Sequence, residues 1–280
     1  MSISRKDYEL PSLMPFEVTD FNPNSPILVS VPHCGIAIPK AIKDAYVSEK
    51  IQFIDDTDWY VDKLYDFVGH MGVTLIKANY SRWVIDLNRN AESKPLYDDG
   101  RVITALTPTS DFNGESIYQN NEPDSTEIQR RIETYYSPYY NKIEELLQAK
   151  RANFEHVLFF DAHSIRQFVP GIRAEPFPDL ILGDVDETSA HPDLIKVATN
   201  MLDNSPYSFQ HNDPFKGGNL TRHFGNPDQG IHALQLEMSK ILYMYDTETL
   251  YHEGRAEKVR SILKGLFQEL LGTLTKLNHQ

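Results

Sequence analysis

Two histidines, a glutamate and a cluster of aspartates stand where this chain could do chemistry. His33 follows the apolar run 26–31 in Ser30-Val31-Pro32-His33-Cys34-Gly35, and Gly35 permits a tight turn beside it. His163 lies in Asp161-Ala162-His163-Ser164, after four apolar residues. Positions i and i+2 share a strand face, so Asp161 is placed to orient His163 or to approach the same ion. Asp58 ends Asp55-Asp56-Thr57-Asp58 and opens a helical pattern. Capping and the helix dipole alone would favour carboxylates there; the chemical reading is an oxygen ligand. Two imidazoles and one carboxylate suit a catalytic Zn2+ that keeps a position open for water. Manganese, cobalt or iron could replace it. Glu237 is a charge inside Leu234-Gln235-Leu236-Glu237-Met238. It either faces solvent on an edge strand or is buried for a purpose, as a general base for an attacking water.

The arginines supply the second half of the pattern. Arg82 and Arg89 flank Trp83-Val84-Ile85-Asp86-Leu87, and Arg222 follows the glycine pair in Gly217-Gly218-Asn219-Leu220-Thr221-Arg222-His223. A guanidinium binds a carboxylate through two parallel bonds, and paired glycines let backbone approach a ligand. Surface ion pairs are the alternative for each arginine, with Asp86 an internal partner for one of them. Cys34 is a poor nucleophile candidate, because neighbours on an extended backbone point opposite ways. The glycine pair is no phosphate loop, since no Gly-Lys-Ser/Thr or Gly-x-Gly-x-x-Gly pattern accompanies it.

The elements that must carry these residues alternate. Strands are expected at 26–31, 73–76, 83–87, 156–161, 180–183 and 231–238. Helices are expected at 58–68, from Asp124 toward Lys150 with Pro138 kinking or splitting it, at 191–202, and at 255–276. Residues 1–25 read as an edge or arm, and 92–125 as a long loop of the kind that forms lids or binding loops. Alternation of this kind implies one α/β domain over 1–280, with a mostly parallel or mixed central sheet flanked by helices. Sites in such sheets lie at the carboxyl ends of strands, where His33, His163 and Glu237 all fall.

Composition narrows the partners. The 280 residues carry a net charge of −13, which argues against nucleic acid. No apolar run is long enough for a membrane span, the first residues lack a secretory core, and Cys34 is the only cysteine. A cytoplasmic protein acting on a small molecule is the expectation.

The blocks already quoted, together with Thr57-Asp58 running into Asp62, Asp86-Leu87-Asn88-Arg89, His223-Phe224-Gly225, His232-Ala233 before Leu234, and Leu242-Tyr243-Met244, resemble the N-formylglutamate amidohydrolase family over about residues 27–246. The resemblance implies a zinc exopeptidase-like (phosphorylase/hydrolase-like) fold, and hydrolysis of N-formyl-L-glutamate to formate and L-glutamate in histidine breakdown. It implies metal ligation by His33, Asp58 and His163, with Asp56 and Asp62 as alternatives to Asp58, and Glu237 as the base. Arg222 with Asn219 or His223 would hold substrate carboxylates or the developing oxyanion. Arg82, Asn88 and Arg89 would line the glutamate moiety. The broader carboxypeptidase group has a glutamate three residues after its first histidine, where this chain has Ile36. That departure favours Asp58 and argues against aspartoacylase- and desuccinylase-like activity. A zinc hydrolase of another N-acyl amino acid or short peptide, and a non-catalytic binder of acidic metabolites, are the competing readings.

Overall fold

Short runs of β-branched and aromatic residues build the centre of the molecule. The computed structural model describes residues 13–19, 21–92 and 104–279. In chain order they form β1 (Phe16–Thr19), β2 (Ile27–Val31), α1 (Lys40–Lys43), α2 (Val61–Leu64), β3 (Thr74–Ala78), α3 (Ser125–Arg131) and α4 (Ser137–Arg151). Then follow β4 (Val157–Ile165), β5 (Leu180–Gly183), α5 (Pro192–Asp203), β6 (Phe209–His211), α6 (Asn219–Phe224), β7 (Ile231–Ser239) and α7 (Glu253–Leu277). The strands make one sheet in the order β1-β3-β2-β4-β7-β5-β6. The central pairs β3–β2, β2–β4 and β4–β7 are parallel, whereas β1–β3 and β5–β7 are antiparallel, so the sheet is mixed.

Strand alternation sorts the sheet residues between two helical layers. Val29, Val31, Phe160, Ala162, Leu234 and Leu236 pack with α5 and α7 residues such as Leu194, Ala198, Leu263 and Phe267. Leu28, Val157, Phe159 and Ala233 pack on the opposite side with Tyr139, Ile143 and Leu147 of α4 and with Leu220 and Phe224 of α6. Continuing along β4 and β7 on that second side, the period of two brings up Asp161, His163, Gln235 and Glu237. The register sets Asp161 beside Gln235 and His163 beside Glu237. A polar stripe therefore caps an apolar face at the carboxyl edge.

Several sequence expectations are corrected. Residues 83–87 are buried but form successive turns rather than a strand; Val84 N–H bonds Ser81 O and Asp86 N–H bonds Leu106 O. The helix expected over 58–68 is only α2 followed by a 3-10 stretch, Asp66–Met71, because Tyr60 takes a left-handed conformation (φ 64°) at its start. The expected break near Pro138 is a π turn, Ile132–Tyr136, after which Pro138 sits in the first turn of α4. Asp124 caps α3 by accepting from Glu127 N–H. Part of the expected arm is the edge strand β1. The rest of that arm before Leu13, and residues 93–103 of the expected long loop, lie outside the described residues. Glu237 is not on an edge, since β7 runs between β4 and β5. Among the described residues no helix is long and apolar enough to cross a membrane.

The opposite edge of the sheet is held by buried polar groups. Lys150 donates to Asn22 O, Ser25 O and Thr74 Oγ1, and burial pushes its pKa down to about 8. His232 at the start of β7 is shielded and bonded through Nε2 to His156 Nδ1 at 3.0 Å, while its Nδ1 accepts from His191 N–H. Burial first, then the neighbouring His156 and His191, lower its pKa from 6.5 to about 3. The unfolded chain takes up this proton near pH 6.5 and the folded chain does not. Stability present above pH 6.5 is therefore lost as the pH falls toward 3. His232→Asn keeps an acceptor for His191 N–H and removes the titrating ring. In metal-depleted protein its melting temperature should fall less between pH 7 and pH 5 than that of the parent; an unchanged slope would assign the acid sensitivity elsewhere.

Candidate functional site

The sheet delivers His163 and Glu237 from adjacent strands, and two loops bring the remaining groups to them. The turn after β2 carries His33. The loop before α2 carries Asp58, and a backbone bond from Asp58 N–H to His33 O (3.0 Å) fastens the two loops together. His33, Asp58 and His163 are all buried, and one donor atom from each lies within 4.8 Å of the others. Asp58 Oδ2 is 3.1 Å from His163 Nδ1 and 3.7 Å from His33 Nδ1.

The outer nitrogens are held from behind. His33 Nε2 bonds Asp86 Oδ1 at 2.8 Å, and Asp86 Oδ2 accepts from Arg82 Nη2 at 2.7 Å. His163 Nε2 lies 3.0 Å from Asp161 Oδ2 and 3.1 Å from Asn88 Nδ2. Asp86 is hydrogen-bonded to His33, the usual support of a metal-ligating histidine, whereas Asp161 stands close behind His163 with both its oxygens shielded and without a hydrogen-bond partner. His33 Nδ1, by contrast, is shielded and has no hydrogen-bond partner. A buried polar atom without a partner is rare and expensive. This orphan faces the Asp58 carboxylate, as an ion between them would require. The donor set therefore fits a metal.

The charges are strongly coupled to this arrangement. Burial opposes ionisation of Asp86, but Arg82, Arg89 and His33 outweigh it and hold the carboxyl well below its ordinary range. Burial likewise opposes ionisation of Asp58, and His163, His33 and Arg82 bring it down. Burial and Arg82 lower His33, against the pull of Asp86 and Asp58. His163 goes the other way: burial disfavours its charge, but Asp161 and Asp58 on its two sides raise it well above 6.5. Glu237, half-buried beside this group, is pushed up to about 8, chiefly by burial. A carboxyl tuned near neutral pH suits a group that must take and return a proton.

The alternatives to Asp58 are committed elsewhere. Asp56 accepts from Trp83 Nε1 and Phe112 N–H, and Asp62 pairs with Lys77. Asn88 is the hinge of the other wall: its Oδ1 accepts from Leu220 N–H, and its amide packs where a Cβ on Gly218 would sit. Gly218 N–H in turn donates to Gln235 Oε1 at 2.7 Å. Only glycine leaves room for Asn88 there. Asn219 donates to Tyr136 and Tyr140 hydroxyls, and Arg222 Nε donates to Gly217 O. His223 is exposed, its ring against Tyr140. Arg89 donates to Thr104 O and Oγ1. Sequence reasoning missed Gln235 and Lys240. Gln235 shares the face of Glu237 two residues away, a signal that was legible. Lys240 is buried with Nζ on Asp55 O (2.6 Å), and nothing in its sequence context announced that.

A mixed sheet with its polar residues converging at the carboxyl edge, around a buried imidazole–carboxylate group able to take a metal, is consistent with an α/β protein of zinc-peptidase-like fold. The N-formylglutamate amidohydrolase family model matches residues 25–244. An N-formylglutamate deformylase from Pseudomonas putida is 38% identical over 249 residues, 88% of this chain and 92% of that one. Its namesake from Pseudomonas aeruginosa is 36% identical with the same coverage. The crystal structure of N-formylglutamate amidohydrolase from Ralstonia eutropha JMP134 superposes with a TM-score of 0.79 at 26% identity, covering 94% of this chain and 99% of that one. A gene product of Agrobacterium tumefaciens shares the fold, with a TM-score of 0.75 at 17% identity, covering 94% and 96%. The chain belongs to the N-formylglutamate amidohydrolase family and is an amidohydrolase.

Asp161→Asn tests the backing carboxylate without changing its shape. Zinc affinity, measured by competition with a chromophoric chelator, should weaken about 10- to 100-fold. Unchanged affinity would mean that Asp161 takes no part in presenting His163.

Proposed function

We propose that the chain hydrolyses N-formyl-L-glutamate to formate and L-glutamate, with His33, Asp58 and His163 holding a zinc ion. The observation that carries this reading is the 36–38% identity, over most of both chains, to proteins described as N-formylglutamate deformylases, in a chain that carries a buried His/Asp/His group able to hold a metal. When bound, the ion supplies Lewis acidity, polarising the formyl oxygen and lowering the pKa of a water.

The protein's own groups do the rest. Glu237 Oε accepts the proton of the attacking water and returns it to the amide nitrogen as the C–N bond breaks. Asp86 and Asp161 keep both imidazoles aimed inward. Arg82 acts through Asp86, since its guanidinium donates to Asp86 Oδ2 and Asp56 O inside the protein. Arg222, on the wall built from Gly217 to Phe224, holds a substrate carboxylate with Asn219 or His223, and Arg89 and Asn88 close the other side. The reading places the enzyme in the cytoplasm, in histidine breakdown.

The direct test is formate release from N-formyl-L-glutamate by chelated protein, before and after addition of zinc. Turnover should vanish on chelation and return with the ion. Folded, zinc-loaded protein that releases no formate would refute the substrate assignment. Glu237→Gln should bind zinc normally and lose turnover by about two to four orders of magnitude, the scale of a general base. Near-parental turnover would remove Glu237 from that role.

A further inference from the structure

We propose that Arg173, in the loop after β4, is a specificity-determining residue that binds the side-chain carboxylate of the substrate. The inference rests on the reading that the substrate is an N-acyl acidic amino acid, and it names the residue that makes the acid necessary.

Arg173 Nη1 is shielded from solvent and has no hydrogen-bond partner. The other end of the guanidinium, Nε, is 3.7 Å from Glu175, a residue largely in water. Such a pair contributes little and leaves the inner nitrogen unserved. Buried guanidinium N–H groups without acceptors are rare because nothing replaces the lost water. A ligand carboxylate is the acceptor that matches this planar fork best.

The loop that carries that fork packs against the site. The loop leaves β4 directly beyond His163. It is closed by Phe177 N–H to Gln167 O (2.8 Å) and by Ile172 and Arg173 N–H groups on Val169 O. Its residues Val169, Ile172 and Phe177 pack with Ile165, Ile181, Phe112 and Phe215. Phe112 reaches the site itself: its N–H donates to Asp56 and its ring stacks under the Arg82 guanidinium, 4.7 Å away. Gly171 lies so close to Phe112 O that a Cβ would collide with it. The strand end that carries a candidate ligand, the residue that stacks on Arg82 and the segment that carries Arg173 thus form one packed body. The loop is anchored by these contacts and Arg173 is only partly solvated, a setting in which a carboxylate–guanidinium pair discriminates better than in open water.

The experiment compares N-formyl-L-glutamate with N-formyl-L-glutamine, which differs only in lacking the side-chain charge. The variant is Arg173→Met, which keeps the alkyl stem and its packing. For the parent enzyme, kcat/KM should favour the glutamate substrate. In the variant it should fall about 100-fold for N-formyl-L-glutamate, mostly through KM, and less than about threefold for N-formyl-L-glutamine, the loss expected for one charged hydrogen-bond partner. Arg173→Lys should recover part of the preference. Equal losses on both substrates would mark a structural role and overturn the assignment, as would a variant that keeps the parental preference; in both cases the reaction itself stands. Failure of the parent to release formate from N-formyl-L-glutamate is a different result, which would overturn the proposed function and this inference with it.

Discussion

The molecule is organised around a dry cluster of charge. Three buried carboxylates, Asp58, Asp86 and Asp161, face one buried guanidinium, Arg82, and two imidazoles. Isolated ions in such a place would be prohibitively expensive, so each must be compensated by its neighbours. Arg82 compensates Asp86, Asp86 orients His33, and Asp161 faces His163. Asp58 is left between two imidazoles, and His163 is driven toward its charged form to meet it. A divalent cation in that place would do the same work better, since its charge replaces the proton and satisfies the orphaned His33 Nδ1. The same substitution of ion for proton would let Glu237, now held up near 8 by burial, release its own proton. Under the proposed function, ligation and base activation would be coupled through one field.

The sheet is the device that makes this cluster affordable. Phe159 and Ala233 lie two positions before Asp161 and Gln235 on the same face, so the charged stripe rests on packed apolar residues. The parallel register aligns His163 with Glu237 without any loop having to find the geometry. Backbone hydrogen bonds do the equivalent work where the sheet stops. Asp58 N–H on His33 O ties the loops that carry these two residues, and Gly218 N–H on Gln235 ties α6 to β7. Sites built on such rigid elements keep donor atoms in place far better than sites on isolated loops.

Much of this was legible in the sequence because burial and alternation leave a periodic trace. The strands 26–31, 156–161 and 231–238 stand out for that reason, and the site residues at their ends follow. The segment 83–87 was misread for an equally physical reason. Its Trp-Val-Ile-Leu content reflects burial against α4, while its backbone bonds are spent on local turns and on Leu106, so apolar composition without a pairing partner imitated a strand. The short α2 hides in the same way: the apolar spacing from Val61 to Val68 is helical, but Tyr60 in a left-handed conformation and the 3-10 stretch ending at Gly72 cannot be seen in a periodicity. Residues whose role depends on what faces them across the fold leave no local trace. Lys240 and Arg173 are of this kind, distinguished only by the company they keep once the chain has folded.

The choice of Asp58 over a residue near His33 has a geometric consequence. In a chain whose second ligand follows the first histidine by three positions, one turn fixes both. Here that position is Ile36, which points into solvent, 61% exposed. The carboxylate arrives instead from a loop 25 residues further on, so its placement depends on tertiary contacts. Those contacts are present and redundant. Asp58 N–H holds the turn at His33, Asp56 two residues earlier is anchored by Trp83 and Phe112, and Asp55 is anchored by Arg166 and Lys240. Each anchor reaches the aspartate run from a different wall of the site. The aspartate run thus reads as one candidate ligand carried by a brace: Asp58 turns inward toward the imidazoles, and its acidic neighbours are consumed in holding it there. That division of labour explains why consecutive carboxylates are tolerated beside a buried centre that already repels negative charge.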